Sequence, residues 1–280
     1  MTEDELRMHL LPELFNAAVR AGAAIREVYR HSDDYAVGYR DDRTPVTAAD
    51  RAAHRAIKEA LGRTRIPILS EEGRAMRCEE RCNWELFWLV DPLDGTLEFL
   101  KGNNEFTVNI ALMENNRCRG AAIYVPYFGR MYYAGRGEGA WVCEGIAPDA
   151  SADYTYGRIV AAGRRLPSQT KARDVLRVAV SRSHRTPETD AHIEALRRRV
   201  GAVEVVEQGS SYKFCMLAEG VADYYVRTSD TCEWDTAAGE LILAEAGGST
   251  RSLADGAALR YNKEDLRNPW FVCRSRDCGV

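Results

Sequence analysis

The chain has 280 residues, 45% of them apolar and 29% charged, with 38 Lys and Arg against 42 Asp and Glu for a net charge of −4. That balance excludes the basic face that sequence-independent binding to a nucleic acid polymer needs. The length suits one large domain or two lobes, with core enough to fold without a metal or disulfide staple. The opening MTEDELRMHL is acidic and lacks the apolar run of a signal peptide, and no apolar run approaches the 18 or so residues of a membrane span. A soluble, cytoplasmic protein with no specific membrane partner is expected. The eight cysteines include no C-x-x-C pair and the five histidines fall at no ligand spacing near them, so reduced thiols are expected rather than zinc.

In chain order, Leu14, Ala18, Ala21 and Ile25 recur at helical spacing, predicting an amphipathic helix over 13–29. Residues 33–43 read as a turn. Thr47 with Asp50 three residues on predicts a capped helix running to Leu61. Ile66–Leu69 reads as a short strand ending at Ser70-Glu71-Glu72-Gly73. Leu86–Val90, LFWLV, reads as a strand buried on both faces that stops at Asp91. Strands follow over 107–113, 120–125 and 131–133. Residues 144–174 have weak periodicity and read as a surface insertion or a crossing between lobes. The second half alternates: strand 176–180, helix 188–199, strand 203–206, helix 211–219, strand 222–226, helix 236–246. Such alternation predicts a layered α/β fold. Tyr224 and Tyr225 face opposite sides of their strand, so one of them is expected to be core.

The strongest local feature is VDPLDGT, residues 90–96. Pro92 fixes its own φ and biases Asp91 away from the helical region. Both carboxylates and the Leu93 carbonyl could then face one way, as hard ligands for Mg²⁺ or Mn²⁺. Gly95 permits a sharp turn and Thr96 could cap a short helix. The same residues read equally as an Asx turn with a cap. Glu71 at a strand end and Asp235 at a helix start add two carboxylates. If the four converge, cations must offset their repulsion.

The segments PVTAAD (45–50), SEEG (70–73), VDPLDGTLEF (90–99) and EWDTAAGELILAEAGG (233–248) resemble the inositol monophosphatase superfamily, Mg²⁺-dependent and lithium-sensitive phosphomonoesterases. NNEFTVNIAL (103–112), SRSH (181–184) and GSSYKF (209–214) are similar to its bacterial 3'(2'),5'-bisphosphate nucleotidase branch. The resemblance implies an α-β-α-β-α sandwich, with an N-terminal lobe over 1–150 carrying most metal ligands and a C-terminal lobe over 151–280 carrying Asp235 and the nucleotide side. It implies that Glu71, Asp91, the Leu93 carbonyl, Asp94 and Asp235 hold two or three Mg²⁺ ions. It also implies that Glu71 and Thr96 orient the attacking water, with Asp50 accepting from the Thr96 hydroxyl. Arg40 and Leu97 depart from the usual residues, and neither offers a metal ligand.

A bisphosphate needs a second anion site. Ser181, Ser183 and His184 follow a strand, and Gly209, Ser210 and Ser211 precede a helix whose first turn holds Lys213, so free amides and a lysine are expected there. Arg227 ends the strand 222–226. By resemblance, Gly95, Thr96, Ser181, Ser183, His184, Gly209, Ser210, Lys213, Arg227 and Asp235 contact the substrate, a small phosphorylated nucleotide. The expected reaction removes the 3'-phosphate of adenosine 3',5'-bisphosphate, and the branch implies a place in sulfur metabolism. The alternative is the same metal chemistry on inositol monophosphate or a sugar phosphate; a metal-dependent nucleotide sensor is the third reading.

Overall fold

Helices and sheets alternate in five layers in the computed structural model, which describes residues 1–31, 35–40, 44–168 and 175–280. α1 (Glu3–Glu5) continues through a π-helical turn, Leu6–Leu10, into α2 (Leu11–His31). The expected alanine stripe is the buried face of α2, where Ala17, Ala18 and Ala21 are inaccessible to solvent. A two-stranded ribbon, β1 (Gly38–Tyr39) with β2 (Pro45–Val46), precedes α3 (Ala48–Gly62). The turn expected over 33–43 lies in part outside the described residues. The predicted cap is present: Thr47 Oγ1 accepts from the Ala49 amide, and the Thr47 amide donates to Asp50 at 2.7 Å.

β3 (Ile68–Ser70), α4 (Cys78–Arg81), β4 (Leu86–Asp94) and α5 (Thr96–Lys101) come next. β5 (Thr107–Glu114), β6 (Arg117–Val125), β7 (Arg130–Gly135), β8 (Gly139–Cys143), α6 (Tyr156–Ala162) and β9 (Gly163–Arg165) follow. The strands form one seven-stranded sheet in the order β3-β4-β5-β6-β7-β8-β9. β4 does not stop at Val90, as the sequence suggested. It pairs with β5 through Asp94, with a register shift between Asp91 and Asp94. Pro92 lies inside that shift and has no N–H to give the ladder. The segment 144–174 is more than an insertion. It supplies α6 and the edge strand β9, held by buried Ile159 and Leu166. Elements of seven and three residues are too short to show a period. Residues 169–174 of that segment lie outside the described residues.

The second sheet uses β10 (Leu176–Ser181), β11 (Val203–Gln208), β12 (Tyr224–Arg227), β13 (Ser249–Ser252) and β14 (Phe271–Arg274), in the order β11-β10-β12-β14-β13. β11, β10 and β12 run parallel, and β14 pairs antiparallel with both of its neighbours, β12 and β13. Its helices are α7 (Pro187–Val200), α8 (Tyr212–Glu219) and α9 (Glu233–Glu245).

Burial explains the layering. α2 and α3 cover one face of the first sheet, with Leu14, Phe15, Trp88 and Tyr124 in the shared core. α8 and α9 lie between the sheets. Phe214, Leu217, Leu241 and Ile242 pack against Phe87 and Leu89 on one side and Tyr225 and Phe271 on the other. α7 covers the outer face of the second sheet through Ile193 and Leu196. The result is the expected α-β-α-β-α sandwich. Tyr224 and Tyr225 are both core, not one of the two, because helices cover both faces of β12 and give each face its own apolar layer.

Candidate active site

The N-terminal ends of α5, α8 and α9 meet beside the carboxyl end of β4 around a cavity lined from both sheets, and the N-terminal end of α3 stands behind its wall, joined to it through Asp50 and Thr96. Helix N-termini carry partial positive charge and unpaired amides, so negative groups gather there at low cost.

One carboxylate oxygen from each of Asp91, Asp94 and Asp235 lies within 4.8 Å of the others. Each of these side chains commits an oxygen to a backbone amide that fixes its direction. The Leu93 amide donates to Asp91 Oδ1 at 3.0 Å, the Ser211 amide donates to Asp94 Oδ2, and the Cys232 amide donates to Asp235 Oδ2 at 2.8 Å. The Asx turn at Asp91 and the capping box of α9 therefore exist, and they aim the cluster rather than replacing it. Glu71 follows β3, and its amide donates to the Val90 carbonyl at 3.1 Å. Its carboxyl lies against that of Asp91, which also abuts Asp235. Leu93 lines the same wall.

Burial comes first among the causes that push Glu71, Asp91, Asp94 and Asp235 above the usual carboxylate range. Their mutual repulsion raises Glu71, Asp91 and Asp235 further. Packed oxygens of this kind need a proton or a cation between them. Hard, oxygen-only donors, buried at Asp91 and half-buried at Asp94 and Asp235, fit a divalent cation such as Mg²⁺ or Mn²⁺ and suit neither zinc nor copper.

Thr96 is the first residue of α5, and the cap position belongs to Gly95, whose φ of +91° ends the turn. The Thr96 hydroxyl is used elsewhere. It donates to Asp50 Oδ1 at 3.0 Å, while Asp50 Oδ2 accepts from the Thr47 amide and hydroxyl at 2.7 and 2.6 Å. Asp50 is buried behind the cavity wall and is not part of it. With its proton held by Asp50, Thr96 Oγ1 can only accept from a molecule in the cavity.

On the other wall stand Ser181, His184, Ser210, Lys213 and Arg227. The His184 amide donates to Ser181 Oγ at 3.1 Å. Partial burial of the imidazole, with Arg227 nearby, pushes His184 down to about 4, so the ring is neutral near pH 7. Ser183 and Gly209 lie outside this wall. Ser183 Oγ accepts from Lys101 Nζ at 2.9 Å, and the Gly209 amide donates to Glu105 at 2.7 Å.

The expectation of free amides before α8 is corrected here. Those of Gly209 and Ser211 are taken by the carboxylates of Glu105 and Asp94. Lys213 is buried, with Nζ donating to the carbonyls of Gln208 and Ser210 at 3.1 and 2.5 Å and lying over the Tyr225 ring. Burial, with Arg227 nearby, lowers its ammonium to about 8.

Three residues without an assigned role in the sequence reading belong to the site. Arg40 pairs with Glu72 and reaches Glu71 at 3.3 Å, so it touches the carboxylate cluster although it is no ligand. Glu98 is 2% exposed, lines the cavity and has an Oε1 with no hydrogen-bond partner. Glu105 holds Gly209 from behind the wall. Glu98 and Glu105 lie in the segments VDPLDGTLEF and NNEFTVNIAL that carry the resemblance, and Arg40 is one of the departures from it, but nothing in the sequence separated the three from surface charges or gave them a role.

No described helix is long and apolar enough to cross a membrane. Residues 8–276 match the inositol monophosphatase family. The chain is 38% identical over 265 residues to the 3'(2'),5'-bisphosphate nucleotidase CysQ of Salmonella typhimurium, covering 94% of this chain and 98% of that protein. Its counterpart of the same name in Escherichia coli K12 is 37% identical over the same shares of both chains. Among solved structures, CysQ from Bacteroides thetaiotaomicron, described as a bacterial member of the inositol monophosphatase family, superposes with a TM-score of 0.85 at 43% identity, covering 94% of this chain and 96% of that one.

Proposed function

The chain belongs to the inositol monophosphatase family, and from that premise we propose that it is a 3'(2'),5'-bisphosphate nucleotidase. It hydrolyses the 3'-phosphate of adenosine 3',5'-bisphosphate, a small phosphorylated nucleotide, to AMP and inorganic phosphate. The observation that carries this reading is one cavity with two unlike walls: the carboxylates Asp91, Asp94 and Asp235 on one side, and Ser181, His184, Lys213 and Arg227 on the other.

In this reading residues 1–150 supply the metal side, while 151–280 supply the nucleotide side and Asp235. Glu71, Asp91, the Leu93 carbonyl, Asp94 and Asp235 would hold two or three Mg²⁺ ions, with Mn²⁺ able to substitute. Such ions, when bound, neutralise charge on the transferred phosphate and make water more acidic. The residues do the rest. Thr96 Oγ1, its own proton given to Asp50, accepts from the attacking water and so turns a lone pair of that water toward phosphorus. Glu71, at the edge of the cluster, takes the second direction of the same water. The P–O3' bond breaks as the new P–O bond forms, and the proton released by the water ends on the ribose oxygen of AMP. His184, Lys213 and Arg227, with Ser181 and Ser210, keep the 5'-phosphate and nucleoside in place. Gly95 lets the backbone approach the phosphate. The protein works in the cytoplasm on free nucleotide.

The test is phosphate release in Mg²⁺ from adenosine 3',5'-bisphosphate and from inositol 1-phosphate, side by side, with and without lithium. A strong preference for the bisphosphate, suppressed by lithium, is expected. Preference for inositol 1-phosphate would overturn the assignment of the second wall, and no release from either would overturn the hydrolase reading.

A further inference from the structure

We infer that Glu105, which lies outside the cavity, is a positioning residue that holds the nucleotide-side loop in place from the opposite sheet. This inference rests on the nucleotidase reading. Residues 209–211 join β11 to α8 and bring Ser210 to the cavity wall. Ser210 itself has a φ of +51°, a left-handed backbone that a serine rarely adopts and that its surroundings must enforce. Two carboxylates from the first sheet's side do so. Asp94 accepts from the Ser211 amide, and Glu105, just ahead of β5, accepts from the Gly209 amide at 2.7 Å. Ser210 is thus pinned on both sides.

Glu105 is itself fixed. Arg182 donates to it through Nε and Nη2, both at 2.8 Å, and also donates to the Glu207 carbonyl at 2.9 Å. The loop lies so close to α5 that a Cβ on Gly209 would come within 2.4 Å of Glu98 Cγ and 3.0 Å of Glu105 Cβ. Lys213 then ties the carbonyls of Gln208 and Ser210 to the start of α8. Glu105 is therefore the non-catalytic half of a two-point clamp whose other half, Asp94, belongs to the carboxylate cluster. Its removal should loosen Ser210 and Lys213 while leaving the cluster intact.

Charge and position predict opposite signs, which makes the inference testable. Truncating Glu105 removes a negative charge and leaves Arg182 with Glu207 as its remaining carboxylate partner, so the field near the second anion site becomes more positive and charge alone would lower KM for a bisphosphate. Loss of position would raise it. Glu105→Ala, with Glu105→Ser as a second truncation in case the alanine chain does not fold, is assayed on adenosine 3',5'-bisphosphate and on 3'-AMP, which lacks the 5'-phosphate. The expected result is a rise in KM for the bisphosphate of about tenfold or more, the size of a lost charge-assisted hydrogen bond. kcat should stay within about threefold and KM for 3'-AMP, which keeps the nucleoside but not the 5'-phosphate, should rise clearly less than that for the bisphosphate, and Glu105→Gln, which keeps an acceptor for the Gly209 amide, should recover most of the loss. An unchanged or lowered bisphosphate KM, or an equal rise for both substrates, would overturn the positioning role. A wild-type enzyme that does not hydrolyse the bisphosphate would overturn the nucleotidase reading instead, so the two failures are distinguishable.

Discussion

Replacing Thr96 by valine keeps the side-chain shape and removes one hydroxyl, which isolates the relay from Asp50 to the cavity. Two effects follow from the geometry. Asp50 is 1% exposed, and its Oδ2 keeps both Thr47 donors, so only Oδ1 is left without a partner. That loss is worth about 1–3 kcal/mol of stability, read as a lowered denaturant midpoint. The attacking water meanwhile loses the acceptor that oriented it, a loss of about 10²- to 10⁴-fold in kcat, with KM changed by a few-fold at most. Thr96→Ser, which keeps the hydroxyl, should return to within about tenfold of wild type. In Asp50→Asn the amide can donate to Thr96 and reverse the polarity of the bond, so this variant should also be slow. Because the two residues act through one hydrogen bond, the double variant should be little slower than the worse single one. The assay is steady-state phosphate release from adenosine 3',5'-bisphosphate. A Thr96→Val enzyme retaining more than about a tenth of wild-type kcat would refute the relay.

Other outcomes follow from the same site. Lys213→Ala should raise KM for the bisphosphate strongly while leaving turnover of inositol 1-phosphate nearly unchanged, measured with both substrates in Mg²⁺; equal losses would remove Lys213 from the nucleotide side. Because burial lowers the Lys213 ammonium to about 8, KM for the bisphosphate should climb as pH rises past that value, a limb that a Lys213→Met enzyme should lack. The raised carboxyl groups give a stability test. Their protonated forms are favoured in the fold, so in chelator the stability these groups contribute is full below the ordinary carboxylate range and is lost as pH rises through the raised values of Glu71 and Asp235. Melting in chelator should therefore fall between about pH 5 and about pH 8, and added Mg²⁺ should restore more at the higher pH. An Mg²⁺ effect that is equal at both would break the link between cluster and cation.

Much of this site was legible because several of its carboxylates also have a local job. Asp50 and Asp235 sit in capping boxes and Asp91 in an Asx turn, so short-range pattern drew attention to them, whereas Asp94 lies beyond the strand read from the sequence and the ligand and relay roles came only with the resemblance. Glu105 and Glu98 act on residue 209, more than a hundred positions away, and nothing in their neighbours announces that. Lys213 was placed correctly on a first helical turn, but its burial, and its grip on two carbonyls, come from the packing of α8 between two sheets. The same reason hid β8, β13 and β14: strands of five, four and four residues owe their existence to partners already in place rather than to their own period. The longer helices α2, α3, α7, α8 and α9 were read to within a few residues of their ends, while α1, α4 and α6 were not.

The middle layer has a mechanical consequence. α8 and α9 serve both sheets at once, and Phe214, Leu217, Leu241 and Ile242 are each at most 2% exposed. Swinging the sheets apart to admit a nucleotide would wet these side chains at about 1.5–3 kcal/mol apiece, together a sum comparable to the whole stability of an ordinary domain. The molecule thus has no clam-shell stroke open to it. Substrate must come and go by way of the rim, without the two sheets parting.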